Sequence, residues 1–218
     1  MRPAKMDSAR IAEFIRGYGQ EPNELLRSIR EECERTGIPL VKKETAAFLG
    51  TVIRLSQPRR VLELGTAAGY SSIYMISCGA GIDRIDTIED WEPRIPVAIK
   101  NIASSGASEK IRLITGDALE VMPELSEPYD LVFIDAAKGQ YPDYLKEAIR
   151  LTRKGSVILA DNILQDGDIL ESKYIVERRD RTIHKRIREF LDELFGDDRF
   201  STSLLPLGDG VTFSIRCK

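Results

Sequence analysis

Short apolar runs alternate with longer amphipathic stretches from Arg59 onward. RRVLELG (59–65), RIDTIE (84–89), KIRLITGD (110–117), YDLVFIDAA (129–137) and GSVILADN (155–162) each have the length and β-branched content of a strand. Each is followed by a connection long enough for a crossover helix, so the strands are expected to run parallel. The fourth and fifth runs are almost wholly apolar, as strands covered on both faces should be. The pattern predicts an α/β fold built on a doubly wound, mostly parallel sheet.

The flanks read differently. Residues 7–55 are patterned as helices broken near Gly17–Pro22 and Gly37–Pro39, and in the 24–36 segment Leu25, Leu26, Ile29 and Cys33 recur at helical spacing among charged residues. After Asn162 a charged insert leads into Ile183, Ile187, Phe190, Leu191 and Leu194, again at helical spacing. Two β-prone runs around LGDG (207–210) predict a C-terminal antiparallel hairpin that closes a sheet edge, making seven strands. The expected organisation is one domain over residues 1–218: an N-terminal helical segment (1–57), a ligand-binding core (58–162), and an insert, last helix and hairpin (163–218).

Composition narrows the function classes. A net charge of -3 gives no bulk electrostatic signal for nucleic acid. No apolar run approaches the ~20 residues of a membrane span, and the first ten residues lack the apolar core of a secretory signal, so the expected setting is the cytoplasm, away from membranes. Cys33, Cys78 and Cys217 are far apart and are expected to be unpaired thiols.

Candidate chemistry gathers at the predicted strand ends. Gly65, Thr66 and Gly69 form a loop between the first strand and a helix starting near Ser71, where doubly wound sheets bind nucleotides. The G-x-x-x-G spacing differs from the G-x-G-x-x-G of a dinucleotide site, which weighs against a nicotinamide oxidoreductase. Glu89 ends the second strand, where an acid can accept both ribose hydroxyls, and Asp117 ends the third, within reach of an adenine edge. An adenosine-containing cofactor is expected. Asp135 ends the fourth strand and Asp161–Asn162 the fifth; adjacent strands lie ~4.8 Å apart, so three oxygens can surround one point. Such a set suits Mg²⁺, Mn²⁺ or Ca²⁺ better than structural zinc. Lys138 follows three positions after Asp135, and the single histidine, His184, stands apart.

Together VLELGTAAGYSS, TIE, GDA, VFIDAAKGQY and ILADN resemble the cation-dependent, S-adenosylmethionine-using O-methyltransferases, the group of catechol and caffeoyl-CoA O-methyltransferases and bacterial relatives. The resemblance runs from about Pro39 to the C-terminus and implies a Rossmann-like fold. It places Val41, Glu63, Gly65, Ser71, Glu89, Asp117 and Ala118, with Asp135, around S-adenosylmethionine. It also makes Asp135, Asp161 and Asn162 the metal ligands and Lys138 the base. The small Ala136 and Ala137 follow the bacterial pattern, and no acid near Ser203 matches the third acid of the mammalian catechol enzymes.

The activity implied is methyl transfer to one hydroxyl of a vicinal oxygen pair on a small hydroxylated aromatic. The RRDRTI segment followed by LPLGDG is also similar to the bacterial branch that methylates 5-hydroxyuridine in tRNA, with Arg178, Arg179, Arg181, Lys185, Arg186 and Arg188 as candidate phosphate contacts. Interleaved acids give those same residues a plainer reading as a solvated helix face. A non-catalytic S-adenosylmethionine-binding protein is the alternative of another class, opposed by the intact metal and lysine positions. A homodimer is expected from the N-terminal amphipathic segment and by analogy.

Overall fold

The computed structural model describes residues 8–79, 81–172 and 174–218. Its strands are β1 (Arg60–Leu64), β2 (Arg84–Glu89), β3 (Ile111–Thr115), β4 (Tyr129–Ile134), β5 (Thr152–Ala160), β6 (Phe200–Leu205) and β7 (Val211–Arg216). They form one sheet in the order β3-β2-β1-β4-β5-β7-β6. The first five pair in parallel, and β7 pairs antiparallel with both β5 and β6. The doubly wound sheet and the hairpin are as the sequence predicts. The hairpin's second arm is the one that lies against β5, leaving β6 outermost.

Helices cover both faces: α1 (Ser8–Arg16), α2 (Glu24–Thr36), α3 (Lys43–Ser56), α4 (Tyr70–Cys78), α5 (Ile95–Ser104), α6 (Ala118–Val121), α7 (Tyr141–Arg150) and α8 (Arg181–Gly196). Because side chains alternate along a strand, each strand feeds two apolar layers. Val61, Leu131, Phe133, Val157 and Leu159 pack with Leu26, Leu49, Ile53 and Met75 of α2, α3 and α4. Leu62, Leu64, Val132, Ile134 and Ile158 pack with Tyr141, Leu145, Ile187 and Phe190 of α7 and α8. With both faces closed, ligands have access at the strand ends. The chain winds from β1 towards β3 on one side and from β4 onwards on the other, so the crevice falls at the carboxyl ends of β1 and β4.

The breaks between the first helices have local causes. Asn23 caps α2 by accepting a hydrogen bond from the Leu26 N–H at 2.9 Å, and Gly37, at φ 73°, ends it in the left-handed conformation. The buried stripe of α2 holds the expected Leu26, Ile29 and Cys33, and with them Arg30. No helix among the described residues is long and apolar enough to cross a membrane.

Candidate active site

A cavity of about 540 Å³ opens at the crevice. Val41, Gly65, Thr66, Ser71, Glu89 and Ala118 line it, as do Asp135, Lys138, Asp161 and Asn162. Most of the residues expected to hold a cofactor and all three expected to hold a metal therefore share one space.

The glycine loop is built by close approach. Gly65 has φ 95°, and a Cβ there would come 2.1 Å from the carbonyl oxygen of Asp135. Only glycine permits this contact. The Asp135 N–H in turn donates to Leu64 O at 2.9 Å, so the loop and the end of β4 are fixed to each other. Glu89, at the end of β2, is buried and accepts the N–H groups of Ala67 at 2.7 Å and Trp91 at 2.9 Å. That holds its carboxylate against the loop, with lone pairs to spare for hydroxyl donors.

Beneath the loop lies Glu63, fully buried and outside the cavity lining. Its Oε2 accepts the hydroxyls of Ser72 and, at 2.6 Å, Thr87. Thr66 lies 2.6 Å from Thr87 and donates to it, since the Thr87 proton is already committed to Glu63. Oε1 has no partner among the described residues. Burial pushes the Glu63 carboxyl up to about 7, against the nearby hydroxyls that lower it and with Asp135 adding to the rise.

At the other strand ends the oxygens converge on an ammonium. Lys138 Nζ donates to Asp135 Oδ1 at 3.1 Å and to Asn162 Oδ1 at 2.8 Å. Asn162 adopts φ 57°, an uncommon left-handed conformation for a residue other than glycine, and its N–H donates to Asp161 Oδ1 at 2.7 Å. Tyr141, buried under these ends, donates its hydroxyl to the Asp161 backbone oxygen at 3.0 Å. The Asp161 carboxyl is raised by burial and by Asp135, against the Asn162 N–H and Lys138 that lower it. The Asp135 carboxylate and the Asn162 amide meet at the ammonium with Asp161 bonded to the Asn162 N–H, and two carboxylates and an amide are a hard-oxygen set whose chemistry fits Mg²⁺, Mn²⁺ or Ca²⁺. Among the described residues no group of three or more histidine, cysteine, aspartate or glutamate side chains is arranged to hold a metal.

Two predicted residues sit at the margin. Gly69, at φ 80°, is the N-cap of α4, and Asp117 caps α6, accepting the Leu119 N–H at 2.8 Å. Neither lines the cavity. Residues that strand-end reasoning passed over do line it: Tyr70, Trp91, Arg94, Tyr144, Gln165 and Asp209. Asp209 is the aspartate of the hairpin's LGDG turn; its Oδ1 accepts the Asp166 N–H at 2.7 Å and its backbone oxygen the Leu164 N–H at 2.8 Å. The turn is thereby stitched to the segment after β5. Five of the insert's six candidate basic residues are engaged within the chain: Arg179 with Glu177 and Asp180, Arg181 with the backbone of Tyr174 and Val176, Lys185 with Glu189, Arg186 with Asp143 and Glu189, and Arg188 with Ile169 O; Arg178 has no such partner among the described residues.

Comparisons with known proteins agree with this geometry. A catechol O-methyltransferase of Niastella koreensis is 37% identical over 159 residues, covering 70% of this chain and 72% of its own. A Staphylococcus aureus structure, solved as a candidate caffeoyl-CoA O-methyltransferase, superposes with a TM-score of 0.88 at 28% identity, covering 95% of this chain and 99% of its own. An O-methyltransferase of Streptomyces achromogenes involved in tomaymycin synthesis, solved with S-adenosylmethionine, gives 0.84 at 25% identity, covering 98% of this chain and 100% of its own. The model of the O-methyltransferase family matches residues 18–217, and the chain belongs to that family.

Proposed function

We propose that the protein moves the methyl group of S-adenosylmethionine to one hydroxyl of a vicinal oxygen pair on a small, catechol-like aromatic, in a reaction that requires a divalent cation. The observation that carries this reading is the single cavity in which the Glu89-anchored loop meets the oxygen set around Lys138. Glu89 is assigned to the ribose hydroxyls, and the Gly65–Thr66 loop and Ser71 to the remainder of the cofactor. Glu63, buried outside the cavity and bonded to Ser72 and Thr87, is assigned to support the loop from behind. S-adenosylmethionine supplies an electrophilic methyl on sulfur. Asp135, Asp161 and Asn162 are assigned to the cation, which when bound polarises an adjacent hydroxyl and favours its ionised form.

Lys138 Nζ is assigned to receive the proton of the hydroxyl that is methylated; it would do so as the free amine, after a cation has taken over the Asp135 and Asn162 oxygens and the ammonium has released its extra proton to solvent. The rigid strand ends orient the acceptor oxygen, which supplies much of the rate in a bimolecular displacement. Internal pairing of the insert's arginines favours a small substrate over tRNA, since phosphate binding draws on free basic side chains. Helix α1 and the turn after it leave Phe14, Ile15 and Tyr18 exposed, which supports a homodimer through this segment.

The test is product analysis by mass spectrometry. Purified protein with labelled S-adenosylmethionine and Mg²⁺ is offered a panel of catechols and, separately, unmodified and hydroxyuridine-bearing tRNA. Monomethylated catechols are expected. Label appearing in tRNA alone would replace the small-molecule reading with the nucleic-acid one.

A further inference from the structure

Arg30 lies on the core face of α2 between Ile29 and Cys33 and is 6% exposed. A guanidinium at that depth needs partners. Its Nε bonds to Glu21, in the loop before α2, and its Nη1 donates to the Val41 backbone oxygen at 3.2 Å. The guanidinium carbon sits 4.6 Å from the centroid of the Tyr70 ring, and the Tyr70 hydroxyl donates to the second Glu21 oxygen at 2.5 Å. Val41 and Tyr70 both line the cavity, one on the segment entering α3 and the other as the first residue of α4 after the glycine loop. One buried arginine therefore joins two walls of the site that the sheet does not connect.

Stability alone does not favour this arrangement. Arg30 Nη2 is buried with no acceptor among the described residues, which costs free energy, and apolar packing often does as well as a buried ion pair. We propose that Arg30 is a positioning residue: through Glu21, Tyr70 and the Val41 carbonyl it holds the Pro39–Val41 wall against the first turn of α4 and so sets the affinity for S-adenosylmethionine. It does not touch the reacting atoms. The proposal rests on the cofactor reading above.

Two variants test it. Arg30→Lys keeps a charge beside Glu21 and loses the planar fork that reaches Val41 and covers Tyr70. The double variant Glu21→Gln/Arg30→Met removes both charges, so that neither is stranded if the single change impairs folding. Calorimetric titration of S-adenosylhomocysteine into wild type and both variants should show binding weakened about 5- to 30-fold in the variants, the factor carried by one or two contacts' worth of free energy. Steady-state kinetics should show KM for S-adenosylmethionine raised by a similar factor, with kcat within about twofold and the half-saturating Mg²⁺ concentration unmoved. Lower Tm with unchanged affinity and KM in both variants would mean a purely structural arginine and would overturn the proposal. Wild type that fails to bind S-adenosylhomocysteine would overturn the cofactor reading itself, and this proposal with it.

Discussion

On the proposed mechanism the chemistry turns on Lys138. Its Nζ lies between Asp135 and Asn162, away from the Glu89-anchored loop, and its free amine is the proposed proton acceptor. For Lys138→Met, kcat should fall by about 10²-fold or more, the range of general-base contributions, and S-adenosylhomocysteine affinity should stay within about twofold by titration. Glu63 makes a separate prediction about pH. Its folded-state pKa, about 7, is raised above the ordinary value of 4.5. Stability from this group is thus fully present below about pH 4.5 and is lost as pH rises through 7; the difference is on the order of 3 kcal/mol. In urea unfolding of the ligand-free protein, Glu63→Gln should therefore gain on wild type between pH 5 and pH 8. An equal difference at both pH values would count against the raised pKa.

Among the elements, the loop between β1 and α4 is the most tightly specified. Gly65 faces Asp135 O, so a side chain there must push apart the ends of β1 and β4. Gly65→Ala should cost about 2 kcal/mol or more in chemical denaturation and should abolish measurable S-adenosylhomocysteine binding, because strain and clash act together. Much of this element was legible in the sequence: glycine after an apolar run, then Glu89 and Asp135 at the ends of neighbouring runs. Local pattern locates strand ends well because a parallel sheet aligns them. It could not separate the acids that face the cavity from those that cap. Asp117 was expected at an adenine edge, yet its side chain bonds to the Leu119 N–H of its own helix. Arg30 was missed for a related reason. Its place four residues after Leu26 and three before Cys33 puts it on the buried face, but a charge in an amphipathic helix is ordinarily solvated.

Across the whole molecule, the sheet order follows from the alternation of runs, and the site follows from the sheet order. What the chain pattern did not carry was contact between distant segments. Gln165 and Asp209 reach the cavity because the hairpin turn packs on the segment after β5, an outcome of tertiary packing without a local signature. Trp91 and Arg94 are a local case: they form a cation–π pair, 5.8 Å from guanidinium carbon to ring centroid, in the cavity wall just after β2. The arginine-rich insert shows the reverse case. Its composition suggests a phosphate surface, and most of its candidate basic side chains pair within the chain, Arg179 and Arg186 with acids. The divalent cation is the central claim of the proposed function. The most direct measurement is methyl transfer from labelled S-adenosylmethionine to a catechol by protein stripped with EDTA, dialysed, and titrated with Mg²⁺. Transfer that is lost on stripping and restored saturably by Mg²⁺ is the result predicted; turnover indifferent to EDTA would contradict the account.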